Sequence, residues 1–501
     1  MTKKIYFVCA PIFLHWPVEI VKRINVLNSN NIISGGFIGG AKKYHTLLKE
    51  EFGELADEVV YTHDLEKNWL EEKFKEEDLA FFKELLGDKI LNELIIADRH
   101  VGNGFLAGGG IACSKFLDVL KKDKLAHLNY TVGMLKYLHE FLSINKPNVI
   151  YSYAVAGAFT LAIAELSKVL GITFAKLTHS RIANKIVIDT SPRDEMERVR
   201  LKYIEPLENR SNKSIDFAQN YIKEFREKQV QPDYQILQNN VYLAKTKIKY
   251  QVKLWAKFIK GYLDRSDEHF HTSYLGNVRY EQKTVRGIKK YWMEKPFFET
   301  EELMNKPFFF YPLHVDPEAS TMVISSSQTN QFAALEAVAK TKPIDHFLVV
   351  KEHLTMIGRR PKGFYERINS LPGVYMVNPT EPSFKFINEC KAVITLTGTA
   401  GLEAILLKKP AIFLGNFIYK FIEKGFVCSN DFSCLGDVLC NLDAIKIADD
   451  EILVKLLAAI NEVSFSFDGG LIWSGISKKR VLDNPEVVEK FAIQLNNLLN
   501  E

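Results

Sequence analysis

The chain has 501 residues, too many for one ordinary core, so two or more domains are expected. Apolar residues make up 47% and charged residues 25%, as in ordinary globular proteins, and the net charge of +4 is too small at this length to call for nucleic acid. No run of eighteen apolar residues occurs, so no membrane-spanning helix is expected.

The opening "MTKKIYFVCAPIFLHW" imitates a signal peptide, but no small-residue cleavage site follows and "PVEIVKRI" continues as an amphipathic helix. A first buried strand is therefore expected at 4–10. Further strands are read at 32–39, 58–62, 148–153 and 173–178, with an Ala-rich helix over 154–171 ending on Gly171. Strand, helix and strand at this spacing imply a parallel sheet covered by helices.

From about 195 to 295 the texture becomes helical. Residues 241–295 hold 13 Lys and Arg against 5 Asp and Glu, interleaved with aromatic and aliphatic side chains. Two readings stand side by side: an interfacial helix drawn to anionic lipid, or a helical insert packed on the protein with snorkelling lysines.

A second α/β alternation follows. Strands are expected at 306–315, 346–353, 373–379, 392–397 and 410–415, and helices at 329–341, 382–390 and 484–500. The chain thus divides into 1–194, 195–295, 296–483 and a terminal helix at 484–501 that is expected to return to the first domain. Two such domains enclose a cleft, and ligands of open parallel sheets sit beyond the carboxyl ends of strands.

Four stretches carry chemistry. At Thr395–Thr399 a strand meets a helix through Thr397, Gly398 and Thr399, where amides and hydroxyls combine with a helix start to form an anion site. Glu403, one turn into that helix, is placed to accept from ribose hydroxyls or to take part in capping. "VVKEHLTMIGRRP" ends a strand with Lys351 and His353 and then carries Arg359, groups suited to a phosphate. "YPLHVDPEAST" brings His314 and Glu318 to the end of another strand. In the first half, "LIIADRHVGNG" holds Asp98, Arg99 and His100, and "KLTHSRIAN" holds His179 and Arg181, which supply a carboxylate and cations for an acidic substrate. Walker A is absent, and the lone dinucleotide-like pattern at 102–107 lacks a clean leading strand. The six cysteines lack zinc-site spacing and fit a reducing cytosol.

The stretch from "YPLHVDPEAST" through "VVKEH" and "GRRP" to "TLTGTAGLEAILLKKPAIFLG" resembles, in order and spacing, the bacterial capsular polysaccharide biosynthesis family. That family includes transferases of 3-deoxy-octulosonic acid (Kdo) and related ulosonic acids. The resemblance implies an α/β protein of the GT-B type, two Rossmann-like domains facing a cleft, that uses a CMP-activated acidic sugar without a metal or other cofactor. It further implies that Lys351 and His353 bind the donor phosphate, that Thr397, Gly398 and Thr399 cradle phosphate or sugar carboxylate, and that Glu403 faces the ribose. Asp98 is then the expected catalytic carboxylate, with Arg99, His179, Arg181, His314 and Glu318 around the substrate. The expected acceptor is a surface glycan, a lipid-linked glycan or a protein, met in the cytoplasm or at the inner face of the inner membrane. A CDP-polyol phosphotransferase, a nucleotide-sugar epimerase and a non-catalytic assembly or export factor are the competing readings.

Overall fold

The computed structural model describes residues 3–28, 32–99, 101, 122–229, 240, 242–264, 274–301, 303–467 and 476–501. His100, Cys113 and the 102–107 pattern lie outside the described residues.

Two sheets form. The first contains β1 (Lys4–Cys9), β2 (Ile33–Ile38), β3 (Ala56–Tyr61), β4 (Val149–Ser152), β5 (Thr173–His179), β6 (Lys185–Asp189) and, from far along the chain, β13 (Phe465–Ser466). Its order is β13-β6-β5-β4-β1-β2-β3; β1 to β5 run parallel, and β6 and β13 are antiparallel to their neighbours. The second contains β7 (Phe308–Pro312), β8 (Phe347–Lys351), β9 (Val374–Val377), β10 (Ala392–Thr395), β11 (Ala411–Phe413) and β12 (Phe426–Cys428). All of its pairs are parallel, in the order β12-β11-β10-β7-β8-β9. The central strands are almost wholly buried, as continuous apolar runs between two helix layers must be.

In each sheet the strand order reverses once, between β1 and β4 in the first and between β7 and β10 in the second. These are the switch points where doubly wound sheets leave a crevice for a ligand. In the second sheet the ladder pairs Phe309 with Ala392 and Phe310 with Val393, and the chains part beyond that point.

The stretch grouped on texture as 195–295 is not one unit. Helices Glu197–Ile204 and Asn212–Lys228 bury Val199, Ala218 and Ile222 in a core shared with helix Asp450–Val463. Helices Ile248–Asp264 and Tyr274–Glu294 follow. The second lies backbone to backbone on the loop after β8: a Cβ built on Gly287 would sit 2.6 Å from the Gly358 Cα, and Gly358 holds φ +82°. Neither position accepts a side chain without displacing the other.

The chain returns to the first sheet at β13, ahead of position 484. Helix Pro485–Asn500 then lies on helix Trp16–Leu27, with Phe491 packed edge-on or tilted against Phe13, Trp16 and Tyr151. Between the halves, Tyr419 Oη donates to the Ser180 carbonyl at 2.5 Å, and Arg181 Nη1 donates to the Thr397 carbonyl.

Candidate functional site

A cleft of about 320 Å³ opens at the switch point of the second sheet. Its walls are the segments after β7, β8, β9 and β10, closed from the other half by Arg181. His314, at the end of β7, spans the gap where β7 and β10 part. Its Nε2 accepts from the Thr397 N–H at 3.3 Å and lies 3.2 Å from Thr395 Oγ1. That nitrogen is therefore unprotonated, which puts the ring proton on Nδ1. Burial, reinforced by His353, Arg360 and Arg181, pushes the imidazole down to about 3, so it is neutral at any physiological pH.

The Thr-Gly-Thr junction is more committed than its sequence implies. The Thr397 amide is held by His314, and the Gly398 amide donates to Thr395 Oγ1 at 3.1 Å. The donors left for an anion are those at the start of helix Thr399–Leu406, whose first amides have no partner within the helix. A Cβ on Gly398 would lie 2.6 Å from Thr395 Oγ1 and 2.9 Å from His314 Cε1. Gly398→Ala should therefore cost about 1–3 kcal/mol through overpacking and move His314, seen as a lower melting temperature together with weakened nucleotide binding. A variant with wild-type values for both would show that this junction is not fitted to its neighbours.

Lys351 ends β8 and donates to Ser383 Oγ at 3.1 Å. Burial lowers its pKa to about 8, against the pull of Glu403 and Glu381. Glu403 is buried on the opposite wall, and desolvation raises its carboxyl to about 7, countered by Lys351. A cation and a carboxyl thus face each other across the cavity, each close to its titration point near neutral pH. His353 has Nδ1 2.8 Å from Thr355 Oγ1, and burial pushes it down to about 4. It offers a phosphate one neutral donor and no charge.

Behind this wall Arg360 and Glu352 form a buried ion pair. Arg360 donates through Nε to Glu352 Oε2 and through Nη2 to Oε1, both at 2.9 Å, and Nη2 also reaches the His314 carbonyl at 2.7 Å. Both side chains are fully enclosed. The fork fixes the ends of β7 and β8 relative to each other. Arg359, read as a phosphate ligand, points the other way: it does not line the cleft and acts electrostatically on Tyr242 and Tyr250 of the helical segment.

The first half contributes Arg99 and Arg181. Arg99 stands just beyond helix Glu76–Ala97, facing Glu318 and Asp316; burial lowers its pKa and those carboxylates oppose the shift. Among the described residues its Nε has no hydrogen-bond partner. Glu318 is open to water yet walled by both halves. Desolvation raises its pKa, while Ser320, Arg99 and Arg181 lower it. Asp98 is buried, and its Oδ2 accepts from the Val101 amide. It does not line the cleft, so the carboxylate that opens there from this region is Glu318 rather than Asp98. His179 ends β5 in solvent, close to Asp194, and also stays outside the lining.

The family model described as "Capsule polysaccharide biosynthesis protein" matches residues 210–423, the span that carries every wall of this cleft except Arg181. Over that span the chain is similar to the capsule polysaccharide biosynthesis family. No curated protein matches the chain. Among solved structures, the chain is similar to Thermosulfurimonas dismutans KpsC, beta Kdo 2,7 transferase, at 13% identity, covering 65% of this chain and 79% of that one with a TM-score of 0.34. It is also similar to the UDP-GlcNAc 2-epimerase of Neisseria meningitidis, at 12% identity over 97% of this chain and 99% of that one, with a TM-score of 0.26. The two-domain architecture rests on the strand orders themselves. Within residues 210–423, the switch-point cleft and its Arg360–Glu352 support are built from neighbouring strand ends.

Proposed function

We propose that this protein is a glycosyltransferase of capsule or related surface-glycan synthesis, and that its donor is a CMP-activated ulosonic acid such as Kdo or a nonulosonic acid. The observation that carries the reading is the composition of the switch-point cleft. Lys351 and the start of helix Thr399–Leu406 suit one phosphate, and Arg181 suits a sugar carboxylate. Glu403, on the wall opposite Lys351, is suited to the ribose. The family match over 210–423 is consistent with this choice of chemistry. No metal or other cofactor is required by the scheme.

In the proposed reaction the C–O bond between the anomeric carbon and the CMP phosphate breaks, and its electron pair leaves with CMP. The anomeric centre becomes cationic, and a cleft carboxylate stabilises it. An acceptor hydroxyl then forms the new bond and passes its proton to a cleft carboxylate. The acceptor, a glycan, lipid-linked glycan or protein, enters from the side of the first domain.

Purified protein should slowly release CMP from CMP-Kdo or a CMP-nonulosonic acid and leave UDP-GlcNAc unchanged. CMP affinity should fall as pH rises through about 8, because Lys351 loses its proton there, whereas an ordinary lysine stays charged beyond pH 10. The expected loss is about tenfold or more, the worth of a charge-assisted contact. Between pH 6 and 7.5 the histidines should contribute no titration, since His314 and His353 are already neutral. Failure to bind or turn over any CMP-sugar would refute the proposal.

A further inference from the structure

Helix Ile248–Asp264 has three distinct faces. Tyr250, Leu254, Phe258 and Gly261 turn toward the protein and are partly or fully covered. Lys249, Lys253, Lys257 and Lys260 form a band on a second face. Between them, at intervals of three and four, stand Ile248, Val252, Trp255, Ile259, Tyr262 and Leu263, and all six are exposed. Ile248 is 82% exposed and Leu263 78%, extreme values for aliphatic side chains on a helix already packed along another face.

We infer that this stripe is a membrane-contact surface that lies in the interface of an anionic bilayer. The argument is charge complementarity beside an apolar face. At 100° per residue the six apolar side chains fall within one arc of about 100°, and the four lysines occupy the adjoining arc. Such a helix buries its apolar arc at the level of the acyl boundary and lays its lysines among acidic head groups. Trp255 and Tyr262, with an apolar body and a polar tip, sit on the stripe as interfacial anchors do. Among the described residues, no helix is long and apolar enough to cross a membrane, so the contact is peripheral.

A second copy of the chain fits the stripe less well. Stable protein interfaces bury about 800 Å² on each side with 20–30 residues, far more than one row of six side chains offers.

The surface is coupled mechanically to the cleft. Lys245 Nζ pairs with Glu281 at 2.8 Å, tying the start of this segment to helix Tyr274–Glu294. That helix rests through Gly287 on Gly358, in the loop that joins His353 to Arg360. A protein held by the stripe therefore presents its cleft at a fixed relation to the bilayer, which suits an acceptor confined to a membrane.

The test is flotation of the full chain with vesicles of phosphatidylcholine alone and of phosphatidylcholine containing about one third phosphatidylglycerol, at low and high salt. Binding to the anionic vesicles alone, weakened by salt, is expected. Lys253→Gln and Lys257→Gln should each weaken it by about fivefold. The double variant Trp255→Glu, Ile259→Glu should abolish it while the melting temperature and CMP release stay at wild-type values, since neither residue touches the cleft. No flotation of the wild type, or flotation that survives the double variant, would overturn the inference. So would a wild-type dimer in sedimentation that the double variant dissociates, because the stripe would then be a self-interface.

Discussion

Arg360→Ala should destabilise the protein by about 3–5 kcal/mol, because it strands the Glu352 carboxylate in a site closed to water. The loss extends beyond the pair. The guanidinium also donates to the His314 carbonyl and lies 4.9 Å from the centre of the Phe364 ring. His314 in turn holds the Thr397 amide, so one side chain supports the ends of β7, β8 and β10. Arg360→Lys is the informative companion. It retains a charge, but a point cation cannot bridge two carboxylate oxygens and a carbonyl in one plane. It should recover part of the stability and little of the donor affinity. A urea midpoint gives the first quantity and CMP titration the second. An alanine variant of wild-type stability would show that the pair is dispensable, and a lysine variant that binds CMP normally would show that the fork does not shape the cleft.

What the sequence made legible follows the physics of each element. The central strands of both sheets are visible because a strand buried on both faces must be a short unbroken apolar run, as "FFFY" and "AVIT" are. β6 is missed because the connection from β5 lacks a glycine or proline signal: Arg181 and Ala183 take φ of +63° and +48° themselves. β13 has two residues, too few to show any period. In the site, the convergence of the strand ends at 314, 351 and 397 is readable from topology, since all lie at carboxyl ends of parallel strands. Which member of Arg359-Arg360 turns inward is not, because it depends on where Glu352 sits eight residues back in the chain. The lysine-rich texture of 241–295 is likewise plain, yet only packing decides that Leu254 and Phe258 turn inward while Trp255 and Ile259 stay outside.

Glu318→Gln should lower turnover of a CMP-sugar by about 10²–10⁴-fold while leaving CMP affinity near wild type, the range associated with removing a positioned acid or base. Two carboxylates compete for this role. Asp98 comes from the first half, as the sequence leads one to expect, but it is buried and engaged by the Val101 amide. Glu318 opens onto the cleft, with Arg99 and Arg181 acting on it from the facing half. Desolvation between the two halves raises its pKa, and Ser320, Arg99 and Arg181 oppose the rise. Asp98→Asn keeps an acceptor for the Val101 amide but removes a negative charge beside Arg99. It should therefore act through Arg99, weakening binding of the acidic sugar more than it slows the bound donor's reaction. The two variants separate on kcat and KM: a fall confined to kcat in Glu318→Gln, and a rise mainly in KM in Asp98→Asn. The reverse pattern, with Asp98→Asn inactive at saturating donor and Glu318→Gln unimpaired, would move the chemistry to the first domain. Glu318 would then be a wall of the cleft and Asp98 the group that meets the anomeric centre.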